Sequence, residues 1–253
     1  MQSHALSLFR AFALGGSLFA LSLNAGLAHG AASGDEVTFA ERCAAGLPAI
    51  ELHFSARSAA VVLSTRLDVP TLTTRTAISA RERAKAMKGG QTPITVGLTE
   101  SRFFYQSAVR TSSMTDPASG LQCARIGAEM VIVTGPQTVH IARDIRKGSC
   151  AYNEVLLHEM RHVQANQAIA RDVAASAERR FRGLHAGEVL IGTSDELMAR
   201  FQQIIAEQWI PEMEQMARDA AHVHDEIDSP EEYQRIQDVC GGEVTAAIKG
   251  QHQ

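Results

Sequence analysis

The chain has 253 residues, 45% hydrophobic and 21% charged, with 19 glycines and 7 prolines. That balance excludes collagen-like, coiled-coil and wholly disordered chains and allows a sizeable core. A net charge of -4 offers no basic footprint for nucleic acid.

Residues 1–28 read as a secretory signal peptide. Arg10 and the amino terminus supply positive charge, Ala11 to Leu23 is uncharged, and Gly26-Leu27-Ala28 ends the stretch with small residues. Cleavage is expected after Ala28, giving a periplasmic or secreted product. The apolar run is short of the roughly 20 residues a membrane span needs, and no later segment predicts stable membrane insertion. Export places Cys43, Cys123, Cys150 and Cys240 in an oxidising compartment, where two disulfides are the expectation. Three pairings are open. The absence of Cys-x-x-Cys disfavours a thiolate zinc knuckle.

Residues 29–253 read as a single α+β domain, β-rich over 29–148 and helical over 149–240. The expected architecture is a twisted, mostly antiparallel sheet followed by a long helical hairpin. Ile50-Glu51-Leu52-His53-Phe54 alternates as a half-buried strand does, and Ala60 to Leu63 is a short β-branched run. Ser79-Ala80-Arg81-Glu82 is a capping box opening one interrupting helix, which stops at Lys88-Gly89-Gly90. Strand character resumes at Ile94 to Leu98 and Arg102 to Val109. Met130 to Val133 and Thr138 to Ala142, split by Gly135-Pro136, predict a hairpin.

From Tyr152 the period becomes helical. Leu156, Met160, Val163, Ile169, Val173, Ala177, Phe181 and Leu184 recur at three and four spacing. Thr193-Ser194-Asp195-Glu196 is a second capping box, opening a helix from about Ser194 to Ile227 that Pro211 should kink. Asp228-Ser229-Pro230 ends it. A short helix over Glu231 to Val239 should follow, with a frayed end from Gly241.

Within the first long helix stands His158-Glu159-Met160-Arg161-His162. Histidines at i and i+4 project from one helix face about 6 Å apart, so both imidazoles can bind one zinc ion, and Glu159 can reach a water on it. With 10 His in the chain, chance would produce this pattern only about 0.03 times. The sequence here resembles the zincin metallopeptidases. More narrowly, Gly148 to His162 is similar to small secreted bacterial proteins regarded as zinc-dependent proteases, which also carry a Cys just ahead of the zinc helix. The resemblance implies His158 and His162 as ligands and Glu159 as general base. Ala165 and Ala168 stand where metzincins need Gly and a third His, which excludes that group. No Glu-x-x-x-Asp of the thermolysin kind follows His162. The aspzincin pattern is half present at Gly192-Thr193-Ser194-Asp195, where Asp195 is better explained as first-turn charge. Zincins commonly align substrates on an edge strand, and the strand at Thr138 to Ala142 is the expected one.

The third ligand must come from elsewhere. If two antiparallel helices turn near residue 189, His162 faces a position near 216 and His158 one near 220, so candidates lie between about 210 and 228. Helical projection sends His222 to solvent and puts His224 on the border of the apolar face, with Asp228 one turn later. His224 is the expected third ligand, and Asp228, Glu212, Asp195, His185 and Glu188 are its rivals. A His followed by Asp one turn on resembles the gluzincin ligand arrangement, with His in place of Glu. The same hairpin brings Cys240 toward Cys150, favouring Cys150–Cys240 with Cys43–Cys123. Tyr152, His140 or an Arg could stabilise an oxyanion. The expected function is a periplasmic or secreted zinc metallopeptidase acting on peptide or protein substrates. The rival is a non-catalytic envelope protein with a structural or transient zinc site, acting in binding or assembly.

Overall fold

The computed structural model describes residues 37–76 and 94–249. The expected signal peptide and the capping box at 79–82 lie outside the described residues.

Three strand tracks lie side by side, and all three break at one level. β1 (Leu52–Ser58) leads into β2 (Val61–Ser64), β3 (Gly97–Glu100) into β4 (Phe103–Thr115), and β5 (Gln122–Thr134) into β6 (Gln137–Ile141). In the larger sheet β1 pairs in parallel with β5, and β4 pairs antiparallel with it along its whole length. In the smaller sheet β6 is central, with β2 parallel on one side and β3 antiparallel on the other. The fold is α+β, with both sheets mixed.

The hairpin expected at Gly135-Pro136 is not formed. β5 and β6 run on in one direction and belong to different sheets. Pro136 has no N–H to continue a ladder. The Gly135 amide instead donates to the Arg102 carbonyl at 2.7 Å, and a side chain at Gly135 would run into the Phe104 ring. The dipeptide is therefore a step from sheet to sheet. The first half of β5 was not anticipated either. It is buried on both faces, with Cys123 and Ala124 both in the core, so its residues do not alternate in polarity.

Among the described residues, two helices decorate the β-rich half. α1 (Phe39–Gly46) opens with a Thr38–Glu41 capping box, and α2 covers residues 69–76. α3 (Cys150–His185) is capped by Ser149, whose side chain accepts the Tyr152 amide. At 1.5 Å per residue it is about 54 Å long. Its first turns pack Tyr152, Val155 and Val163 with Val139 and Ile141 of the smaller sheet. Its later turns pack Ile169, Val173, Ala177 and Phe181 with Phe54, Met130 and Ile132 of the larger one.

The chain returns through β7 (Leu190–Gly192), which pairs with Gln122 to Ala124 of β5, on the edge that β1 occupies further along. α4 (Ser194–Ile204) carries the expected Thr193–Glu196 capping box. The kink expected from Pro211 takes the form of a π-turn over Ile205–Trp209, ahead of α5 (Ile210–Ala220). A widened turn relieves the clash and the missing hydrogen bond that proline imposes. It also turns Trp209 fully inward, with its ring 5.0 Å from Phe181. α6 (Val223–Ile227) and α7 (Pro230–Lys249) follow. The frayed end expected from Gly241 is corrected. α7 breaks at Val239–Gly242, with positive φ at Cys240, Gly241 and Gly242, then resumes with Val244 only 1% exposed.

Both disulfides form as the hairpin favoured, Cys43–Cys123 and Cys150–Cys240. Two disulfides suit an oxidising compartment. Among the described residues no helix is long and apolar enough to cross a membrane.

Candidate metal centre

His158 and His162 lie on the inner face of α3, 5% and 6% exposed, with ring centroids 5.1 Å apart. Both turn their Nε2 atoms to one carboxylate oxygen: Asp228 Oδ1 is 3.2 Å from each. Asp228 ends α6, where its amide donates to the His224 carbonyl at 2.9 Å. Pro230 then disfavours helical backbone at Ser229 and opens α7. The break between two short helices thus aims this carboxylate at the histidine pair.

The three groups place one ligand atom each within 4.8 Å of the others. A tetrahedral zinc ion with bonds of 2.0–2.2 Å holds its ligand atoms about 3.3–3.6 Å apart, close to the 3.2 Å between Asp228 Oδ1 and each Nε2. Two imidazoles and a carboxylate are a donor set zinc accepts while keeping a fourth position open. Asp228 is buried, which alone would raise its pKa. Hydrogen bonds from both histidines outweigh this and hold it far below the usual carboxylate range. Burial disfavours a charged His158, yet the hydrogen bond to Asp228 and the nearby Glu159 and Glu232 carboxylates raise its pKa overall.

Glu159 is 4% exposed. The Thr99 hydroxyl of β3 lies 2.7 Å from its Oε2 and 3.1 Å from its carbonyl oxygen. Burial raises the Glu159 pKa, and His162, His158 and Thr99 only partly offset it. β3 can press this close because residue 97 is glycine. A Cβ there would stand 2.5 Å from Glu159 Oε1 and 2.7 Å from Val155 Cγ1.

Glu159, His162 and Asp228 open onto a cleft of about 690 Å³, including its solvent-exposed mouth. Gly97, Thr99 and Tyr233 share its polar lining, and Val96, Ile236, Val244 and Ile248 its apolar lining. The α7 wall is tied to the start of α3 by Cys150–Cys240 and by the Ala151 amide donating to Glu243 at 3.1 Å. Outside the cleft, Glu232 receives Arg235 and Arg161. The Arg235 hydrogen bond is the main cause of its pKa falling to about 2.

His224 is buried as the projection required, and His222 is exposed. His224 is not in the three-residue group. Its Nδ1 faces the Nδ1 of His162 at 2.9 Å, with the rings stacked, on the side of His162 away from Asp228. The simple hairpin register pointed to residues near 216 and 220. The offset is already present close to the turn, where Phe181 meets Trp209 and Arg180 meets Glu212, so 224 and 228 arrive instead.

The other candidates lie elsewhere. Glu212 pairs with Arg180, and Asp195 sits exposed in the first turn of α4. His185 hydrogen-bonds Glu188 and Trp209, roughly 35 Å along α3 from His162. Tyr152 is a core residue. His140 points away from α3, toward Glu100 at 3.0 Å. The strand at 138–142 is not an edge: β6 is paired on both sides, and among the described residues β3 is the edge strand at the cleft. Sequence reasoning missed Gly97, Thr99 and Tyr233. Their only sequence trace is small or aromatic character, which carries no chemistry until the fold brings them to the cleft.

No family model matches the sequence, and no curated protein or solved structure is significantly similar to it.

Proposed function

We propose that the protein is a zinc-dependent metallopeptidase working in the periplasm or outside the cell, with His158, His162 and Asp228 as the metal ligands. The observation that carries this reading is the convergence of two imidazole Nε2 atoms on one carboxylate oxygen, with the buried Glu159 beside them on the same cleft wall. When bound, zinc would polarise a scissile carbonyl and lower the pKa of a water molecule.

The chain's own groups supply the remainder. Glu159 takes the proton of the attacking water and returns it to the leaving nitrogen. Its raised pKa brings it closer to neutrality, where a base that must also act as an acid works best. Thr99 holds one oxygen of the carboxylate and so fixes its plane. Tyr233, on the cleft wall with its ring 6.4 Å from His158, is the phenol best placed to donate to a developing oxyanion. β3, an edge strand among the described residues, offers backbone groups to an extended peptide.

The test is metal analysis of the purified mature protein together with hydrolysis of a quenched-fluorescent peptide pool by wild type and Glu159→Gln. One zinc per chain in both, with hydrolysis in the wild type alone, is expected. Equal behaviour of the two proteins overturns the peptidase reading and leaves a binding role.

A further inference from the structure

We infer that His224 is a positioning residue for His162. It acts as a hydrogen-bond acceptor through Nδ1 and fixes which nitrogen of His162 is free to hold the metal. The inference rests on the metal reading above but not on hydrolysis.

An imidazole that ligates through Nε2 must carry its proton on Nδ1. That N–H is then buried, with the His162 side chain 8% exposed and His224 3%, where an unmatched donor costs about 1–3 kcal/mol. The atom that meets it is His224 Nδ1, at 2.9 Å. Two Nδ1 atoms can hydrogen-bond only if one is protonated and the other is not. With the proton on His162, His224 must be neutral and protonated at Nε2. One contact therefore sets the tautomer of both rings.

Ligating histidines usually receive this support from a carboxylate or a carbonyl. Here the supporting group is a neutral imidazole, whose partner ring stacks at 25° and 5.2 Å. It adds no further negative charge to a site that already holds Asp228 and Glu159. His224 and Asp228 also lie one turn apart on α6, with the Asp228 amide bonded to the His224 carbonyl. One short element thus approaches His162 from both of its nitrogens.

Three variants separate the possibilities. His224→Asn can place an amide oxygen near the Nδ1 position, His224→Leu keeps bulk without an acceptor, and Asp228→Asn alters a proposed ligand. Zinc affinity is read by competition with a chromophoric chelator, and ring tautomers by long-range ¹H–¹⁵N correlation on the zinc-loaded protein. We expect about 10–100-fold weaker zinc binding for His224→Leu and recovery of most of that loss in His224→Asn. The wild-type spectrum should show His162 with an Nδ1 proton and His224 as a neutral, metal-free Nε2–H ring. Wild-type affinity in His224→Leu overturns the inference, as does an asparagine variant no better than leucine. A metal-bound ¹⁵N shift on His224 would make it a ligand and overturn it too. A wild type that binds no zinc removes the metal reading itself.

Discussion

Gly97→Ala tests the placement of β3 against the motif helix, on which the whole site depends. The added methyl would lie 2.5 Å from Glu159 Oε1, 2.7 Å from Val155 Cγ1 and 3.0 Å from Glu159 Cδ. Real Cβ atoms do not approach so closely, and both neighbours are held. Val155 is 1% exposed in the smaller core, and Glu159 is bound by Thr99. Overpacking of this kind costs about 1–3 kcal/mol. In a chain of this size that lowers the melting temperature by about 2–4 °C per kcal/mol, so a drop of about 4–8 °C is expected for the middle of the range. Gly183→Ala is the control. It lies near the end of α3 with nothing within 4 Å of the new methyl, and replacing a helical glycine by alanine stabilises by about 0.5–1 kcal/mol. The two substitutions should therefore move the melting temperature in opposite directions in calorimetry. A Gly97→Ala protein that melts with the wild type or above it would refute the contact between β3 and Glu159.

Thr99→Val removes a hydrogen bond to a buried carboxylate, at a cost of about 1.5–3 kcal/mol. It also removes one of the influences that lower the Glu159 pKa, so under the proposed hydrolysis the acidic limb of the rate profile should move to higher pH; an unmoved limb contradicts the assignment. Joint replacement of Cys150 and Cys240 by serine opens a crosslink of sequence separation 90, worth about 4–5 kcal/mol by loop entropy. It should reduce the urea midpoint, and under the proposed function peptide affinity should fall as well because the α7 wall is released. Glu232 has a folded pKa of about 2 against an ordinary 4.5. Its stabilising contribution is present above about pH 4.5 and is lost as pH falls toward 2. The metal-free wild type should lose stability across that window more steeply than Glu232→Gln, and parallel curves would count against the Arg235–Glu232 pairing.

The motif helix was legible because its signals are local. A Ser cap, a three-and-four apolar stripe and two histidines one turn apart all lie within one element, and the same holds for the Thr193 capping box. The Cys150–Cys240 bond was legible from hairpin geometry alone. Most of what failed was set by partners distant in sequence. Gly135-Pro136 carries turn chemistry, yet the tracks beside it decide that the chain goes straight on. Residues 122–129 have no alternation because both faces are buried. α1 does carry a local signal, the Thr38–Glu41 capping box, but at 8 residues it is too short to show an apolar stripe. For the third ligand, sequence reasoning correctly turned His222 outward and His224 inward. It could not foresee that the break at 221–223 and the end of α6 would carry Asp228 past His224 to the Nε2 atoms of His158 and His162.

α3 crosses from the core of the smaller sheet to the core of the larger one without interruption, and the histidine pair lies near the crossing point. No partial opening can fray these turns while both sheets stay packed, because the same backbone anchors each of them. Amide exchange over residues 155–173 should accordingly occur only through complete unfolding. Any ligand that slows exchange along the middle of α3 is then reporting the stability of the entire molecule, and its protection factor can be read as a binding free energy.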